Sequence, residues 1–494
     1  MADQFHGILE DAVARIAPPD REAMHLARKH LDGLIKPAGS LGDLEIIGER
    51  IAGMTGNVIN HVDKKVHFLF GADNGVYDEG VSGTPQHFTG MLMRLYAGRR
   101  GCCIDTFCKK AEVDLRLFDL GIKNMTPCPG IDSSHRLMPD GTGNIVRERA
   151  MPPETTRMAV EFGITLVRDA VKDGYRLFGT GEVGMGNTTT ATACIMACLG
   201  RTDESLVGRG GGLTDEAFAK KKDVIARALA LHGLGSVGAT PDAATGDVAN
   251  HIGTDGHSPS IDSGGISHDS VTDGHILSID AGGISHDSVT GGHALSIDAS
   301  GISHCCVTDG HALSIDVGGT THDSFTDGHI LNIDAGGTTH DSFTDGHILN
   351  IDAGGTTPSG ASSCGSASPL EILSCVGGLD IAAMTGVFIG AAAYRVPVVV
   401  DGMIAASAAL LAERFAPGTR AYMFGSHNST EPAFMAAAQE LGLSPLLNLR
   451  LRVGEGTGCP LAMQIIEDAL YAMNNMASFK EEALEDNYRS ELKF

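Results

Sequence analysis

The 494-residue chain contains no tryptophan, and aromatic residues make up only 5 % of it. It has no surplus of positive charge, the formal net charge being −25 at pH 7. A chain of that sign is repelled by a nucleic-acid backbone and by an anionic bilayer, so neither is expected as a partner. No uncharged apolar run reaches the length of about 18 residues that a spanning helix needs, which argues against membrane insertion. The most apolar stretch, Ile381 to Ala412, is cut by Arg395 and Asp401 and reads as helix, strand, helix in a core. The opening MADQFHGILEDAVARI mixes acids and bases and lacks the apolar centre of a secretory leader, which predicts a cytoplasmic protein. The 11 cysteines are odd in number and irregularly placed. Cys102, Cys103 and Cys108 have no second cluster to complete a zinc site. Buried thiols in a reducing compartment are the expectation, with no structural metal.

A second absence is local. Between Gly235 and Ser368 there is no lysine, arginine or glutamate, but there are 17 aspartates, which leaves −8 for the rest of the chain. This segment repeats every 18 residues. Thr-Asp-Gly-His begins at Thr254, Thr272, Thr308, Thr326 and Thr344, with Thr-Gly-Gly-His at Thr290. A Ser/Asn-Ile-Asp triplet recurs in step, ending at Asp262, Asp280, Asp298, Asp316, Asp334 and Asp352. Near-identical tandem copies fit either a solenoid or a chain without fixed structure. The flanks, 235–250 and 355–368, are rich in Gly, Ala, Ser and Thr and read as linkers. The expected organisation is one discontinuous domain, 1–234 and 369–494, interrupted by an insert, 235–368.

What is present outside the insert is an alternation. Residues 5–35 carry a helical period, Lys36-Pro37-Ala38-Gly39 breaks it, and Leu44–Met54 resumes it. Short apolar runs then end in polar or glycine-rich turns: Val66–Phe70, Leu115–Phe118, Tyr175–Phe178, Val396–Val400 and Ala421–Phe424. Helical patterns lie between them, over Glu154–Lys172, Thr188–Leu199, Asp215–Leu231 and Ile404–Phe415. Buried strands alternating with helices predict an α/β fold with a parallel sheet. Ligands bind such sheets beyond the carboxyl ends of the strands, where the polar turns fall.

Three glycine loops carry candidate chemistry. Gly181-Glu182-Val183-Gly184-Met185-Gly186-Asn187-Thr188 joins a strand to a helix, so its backbone can approach an anion at the favourable end of the helix dipole. It nearly spells a nucleoside-triphosphate loop, but Asn187 stands where that loop needs lysine. A monophosphate site fits better, and a tight structural turn is the plain alternative. Gly208-Arg209-Gly210-Gly211-Gly212 precedes a helix that Thr214 or Asp215 can cap. Lys221 follows within Lys220-Lys221-Lys222, which alone reads as a solvated face. Gly454-Glu455-Gly456-Thr457-Gly458 flanks a carboxylate with glycines, a poor arrangement for stability and a good one for close approach to a ligand. His427, at a strand end, reads either as a functional side chain or as a structural one.

Together these pieces resemble the nicotinate-nucleotide–dimethylbenzimidazole phosphoribosyltransferases. The matching segments are KPAGSLGDLE (36–45), ADNGVYDEGVSGTPQ (72–86), GEVGMGNTTTA (181–191) and GRGGGLTDEAFAKK (208–221). SPLEILSCVGGLDIAAMTG (368–386), VPVVVDG (396–402), GSHNSTEP (425–432) and LRVGEGTG (451–458) follow in order. The resemblance implies a Rossmann-like α/β fold with a parallel sheet flanked by helices, a small helical domain from the chain termini, and a homodimer. It implies Glu455 as general base, with Glu182, Gly184, Gly210, Lys221, Ser426 and Gly454 about the nucleotide. Ser82 and Gln86 would lie near the aromatic base. The substrates implied are nicotinate mononucleotide and a benzimidazole-type base, with no cofactor. The chain departs from the family pattern at Asn74 (commonly His), Gly211 (usually Thr) and Ala433-Phe434 (usually Gly-His), and the choice of base stays open. From a different class, the Asp/His repeat suggests a metal-binding or adhesive repeat protein. Its units, TDGHILSIDAGGISHDSV, lack the GGxGxDxUx pattern of calcium-binding rolls.

Overall fold

The computed structural model describes residues 7–98, 101–234 and 367–483, together with the backbone of ten strands between Ala249 and Asp352. The Gly/Ala/Ser/Thr-rich flanks at 235–248 and 353–366 lie outside the described residues. Cα packing divides the chain into two units, Met1–Val237 with Gly365–Phe494, and Gly238–Cys364.

The first unit is built on six parallel strands: β1 (Lys65–Ala72), β2 (Val113–Gly121), β3 (Ile131–Asp132), β4 (Leu177–Val183), β5 (Val398–Val400) and β6 (Met423–Gly425). Their order is β6-β5-β4-β1-β2-β3, that is 3-2-1-4-5-6, the doubly wound arrangement. Strand β1 is buried along its whole length, which is why it reads as a run of apolar residues rather than as an alternation. Its two faces meet different cores. Val66, Phe68 and Phe70 pack with Phe118 and Phe178 on one side, and Leu69 packs with Leu117 and Leu177 on the other.

Helices cover both faces. The first core takes α1 (Ile8–Arg15), α6 (Pro153–Lys172), α7 (Asn187–Leu199), α8 (Asp215–Leu231) and α9 (Pro369–Val376). It is completed by α10 (Leu379–Ala393), α11 (Met403–Phe415) and α12 (Pro432–Leu441). The second takes α3 (Asp43–Thr55), α4 (Phe88–Tyr96), α5 (Cys103–Lys110) and α13 (Gly458–Asn475). A smaller cluster joins the termini: Ala27 and Leu31 of α2 (Arg21–Asp32), with Leu34, pack on Ala52 of α3 and Met473 of α13. Caps follow the sequence: Thr214 accepts from the Ala217 N–H at 3.2 Å and Ser368 from the Glu371 N–H at 3.2 Å.

The structure departs from the sequence reading in places. The helical period over 5–35 is two helices, because Pro18 and Pro19 lack amide donors and end the first. Helices α4 and α5 and the short strand β3 lie where the sequence reading places no element. Strands β2 and β4 run further toward their carboxyl ends than their apolar cores, to Gly121 and Val183, so Glu182 lies within a strand and not in a loop.

In the second unit the strands are parallel and pair with copies one repeat away, as in His293↔His311 and Ile302↔Thr320. The register offset equals the 18-residue sequence period. Long surface insertions cost little, because loop-closure entropy grows only with the logarithm of length. Replacing 235–368 by a short Gly/Ser linker is therefore expected to leave a folded protein with its melting temperature within a few degrees of the full chain. A deletion that is insoluble or melts far lower would show that the insert supports the first unit.

Candidate active site

Between β1 and β4 the sheet changes direction of growth, β1 leading outward to β2 and β4 to β5. Loops leaving two such strands diverge and open a crevice beyond their carboxyl ends. A cavity of about 380 Å³ occupies it. Its walls are the end of β4, the start of α7, the loop around Gly210, Asp401 after β5, the segment from Val81 to Phe88, and the loop through Glu455.

Part of the wall joins a helix start to a glycine loop. Helix α7 begins at Gly186, which has φ +93°. No side chain caps it; the Asn187 and Thr189 amides donate to the Gly184 and Gly186 carbonyls at 3.2 and 3.0 Å, and the positive end of the helix dipole lies at the cavity wall. The glycine loop 210–212 lies opposite. Lys221 braces both from behind. Its Nζ donates to Thr188 Oγ1 at 3.1 Å and to the Gly208 carbonyl at 2.9 Å, and the side chain is fully buried. Burial pulls this lysine down to about 8, against the opposing pull of the Glu431 carboxylate. Lys220 is exposed and Lys222 pairs with Glu204, so the solvated-face reading holds for those two and fails for Lys221. Glu431 accepts from the Gly210 N–H at 3.1 Å and fixes the loop.

Carboxylates gather around the loop through Glu455 and the first residue of α7. Gly454, Glu455 and Gly456 have φ of +78°, +64° and +77°. A glutamate in that region costs roughly 1–3 kcal/mol and persists only where its surroundings hold it. They do so closely. A Cβ on Gly181 would fall 2.2 Å from the Glu455 carbonyl oxygen, and one on Gly456 would fall 2.2 Å from the buried His67 ring. The Glu455 amide donates to Glu182 Oε1 at 3.4 Å, and Glu455 Oε2 accepts from the Ile104 N–H, at the start of α5, at 3.2 Å. Burial raises the Glu455 carboxyl above its ordinary value, against the lowering pull of the Tyr96 phenol and the Ile104 N–H. Glu182 is raised well above its ordinary value, first by burial and then by the charge of Asp380. The Asn187 amide donates to both Glu182 and Asp380, to the latter at 2.9 Å. Asp401 accepts from the Gly458 N–H at 2.7 Å and lies 3.6 Å from His427.

Of the residues singled out in the sequence, Ser82, Glu182, Gly184, Gly210, Gly454 and Glu455 line the cavity, as does His427. Lys221 and Ser426 stand one layer behind it. Ser426 Oγ lies 2.9 Å from His427 Nδ1 and donates to Asp401 Oδ1 at 3.4 Å. Gln86, half-buried just before α4, is not part of the wall. At the departures from the family pattern, Asn74 is fully buried with both amide atoms unpaired, Gly211 faces open space, and Ala433 and Phe434 are buried in α12. Sequence reasoning missed Asp380, Asn187, Glu431 and His67. Asp380 alone left a signal, as the one charge in the apolar run 379–393.

A family model described as a phosphoribosyltransferase matches residues 16–253 and 357–483. The chain belongs to this phosphoribosyltransferase family. A Clostridium perfringens relative named nicotinate-nucleotide–dimethylbenzimidazole phosphoribosyltransferase is 31 % identical over 487 residues, covering 98 % of each chain. A Clostridium tetani relative of the same name is 30 % identical, covering 97 % of this chain and 96 % of that one. The crystal structure of CobT from Thermus thermophilus aligns with a TM-score of 0.64 at 26 % identity, covering 94 % of this chain and all of that one. Membership rests on both sides of the insert, so the phosphoribosyltransferase reading prevails over that of a repeat protein. Among the described residues, no helix is long and apolar enough to cross a membrane.

Two consequences of the site's geometry are measurable. Gly456→Ala forces a methyl into His67 and strains φ, so it should destabilise the phosphoribosyltransferase by about 1–3 kcal/mol. Gly211→Ala, with nothing within 4 Å, should cost less than about 0.5 kcal/mol. Urea denaturation of both variants checks this, and equal losses would contradict the packing described. Burial also lifts Asp380 to about 6, against the lowering pull of the Asn187 amide. The folded form thus keeps its proton to higher pH than the unfolded chain, where aspartate titrates near about 3.9. Its favourable contribution is complete below about pH 4 and is lost as pH rises through about 6. Melting temperatures between those limits should fall less steeply for Asp380→Asn than for the parent, and equal slopes would contradict the assignment.

Proposed function

We propose that this phosphoribosyltransferase moves the phosphoribosyl group of nicotinate mononucleotide to 5,6-dimethylbenzimidazole, giving α-ribazole 5′-phosphate and nicotinate for the nucleotide loop of cobalamin. The observation that carries the reading is the make-up of one cavity, whose wall joins the start of α7 and the glycine loop 210–212 to the carboxylates of Glu182, Asp401 and Glu455. Nicotinate mononucleotide combines an anionic phosphate, suited to the glycine loops, with a cationic pyridinium ring, suited to the carboxylates.

In the reaction a benzimidazole nitrogen attacks C1′ of the ribose from the face opposite nicotinate. The C1′–N bond to nicotinate breaks and its electron pair returns to the pyridine nitrogen, so the leaving group departs without protonation. The attack inverts C1′ and gives the α-ribotide. The other benzimidazole nitrogen loses its proton to Glu455. A carboxylate whose affinity for protons is raised by burial is suited to that transfer. The neighbouring carboxylates favour the positive charge that develops on the ribose. In this reading the start of α7, Gly184 and the loop at Gly210 lie about the nucleotide, and Lys221 positions them through Thr188 and Gly208. Gly454 and Ser426 belong to the nucleotide end of the site, and Ser82 and Gln86 to the base end. The resemblance further supports a homodimer.

Glu455→Gln keeps the shape of the side chain and removes the base. Single-turnover release of nicotinate by the purified variant should fall by about 10²–10⁴-fold, with the affinity for nicotinate mononucleotide nearly unchanged. A folded variant within about threefold of the parent rate, well short of a lost general base, would exclude Glu455 and move attention to Glu182.

A further inference from the structure

The parallel strands of the insert place histidines in register. His257, His275, His293, His311, His329 and His347 occupy one register position on six successive neighbouring strands. His268, His286, His304, His322 and His340 occupy a second position across five. The 18-residue period of the sequence and the 18-residue offset of the pairing are the same number, so every repeat adds one rung to each ladder.

Neighbouring strands lie about 4.8 Å apart, and two imidazole nitrogens bound to one tetrahedral ion at about 2.0–2.1 Å are roughly 3.4 Å apart. Register positions on neighbouring strands are thus spaced on the same scale as ligands that share one ion. Imidazole is a ligand suited to zinc, copper and nickel. The segment 235–368 carries 17 aspartates and no lysine, arginine or glutamate, so a cation meets attraction and no fixed positive charge other than protonated histidine. We propose that the in-register histidine ladders of the insert bind several divalent transition-metal ions of the zinc–nickel class, independently of the transferase chemistry.

The test uses the untagged full chain, stripped with EDTA and dialysed against nickel chloride or zinc chloride at pH 7.5, with bound metal counted against protein. At two imidazoles per ion the ladders hold roughly five ions. The bound metal should leave as pH falls through about 6.5, where free histidine protonates. One variant exchanges neighbours without changing composition: His275→Ile with Ile276→His, His311→Ala with Ala312→His, and His347→Ile with Ile348→His. It breaks alternate rungs of the six-histidine ladder and should lose at least a third of the bound ions. A second variant, with all six of those histidines changed to Asn, covers the case in which the first is insoluble, and it should lose half or more. Nicotinate release by each variant, measured with and without EDTA, should match the parent. No more than one ion on the parent chain, or unchanged metal content in the variants, would overturn the proposal. Failure of nicotinate release in the parent chain would overturn the transferase reading alone.

Discussion

The site depends on a close approach of two backbones. The loop through Glu455 crosses the carboxyl end of β4 so tightly that Gly181 has no room for a side chain. That contact brings a residue near the C-terminal end of the described chain onto the central strand of the sheet. It also explains the conformation of Glu455 itself. Three successive left-handed residues form a narrow bend, and only the middle one carries a side chain. With its backbone amide held by Glu182 and its carboxylate by the Ile104 amide, that side chain has little freedom left, which is what proton transfer in a defined direction asks of a base.

The sheet topology supplies the rest of the arrangement. Growth outward from β1 and β4 opens the crevice. The start of α7 and the loop at Gly210 form part of its wall, while β4, the turn after β5 and the Glu455 loop bring carboxylates to it and α10 places Asp380 behind Asn187. Placing Glu182, Asp380 and Asp401 together in a buried region is costly for an empty protein, and all three carboxyls are pushed upward. Such clustered shifts gather at functional sites. A cationic ring entering the cavity relieves the repulsion, so part of the strain held in the free protein returns as affinity for a pyridinium.

Much of this was legible in the sequence. The alternation of apolar runs and helical periods predicted the parallel sheet, and the three glycine loops pointed to the cavity wall. Glu182 and Glu455 were visible because each sits among glycines, and Asp380 left the trace of a lone charge in an apolar run. Asn187 and His67 were not visible, because their meaning lies in contacts made by packing α7 and β1 against elements far away in sequence. Lys221 was misleading for a related reason. Three consecutive lysines look solvated, yet a helix turns one of every three or four residues inward, and Lys221 is the one that α8 buries against Gly208 and Thr188. The break at Pro18-Pro19 was written in the sequence, but a hydrophobic period running across it concealed two helices in one pattern.

The central claim is that Glu455 accepts the proton from the attacking base, and the pH dependence of the chemical step tests it directly. Single-turnover rates of nicotinate release, with saturating nicotinate mononucleotide and dimethylbenzimidazole, can be followed from about pH 4 to pH 8. The parent protein should show an acid limb of unit slope whose midpoint lies above the ordinary glutamate value of about 4.3, since burial raises this carboxyl. Glu455→Gln should lose that limb, leaving only the titration of dimethylbenzimidazole itself. An acid limb of the same midpoint in the variant would contradict the account and assign the proton to another group.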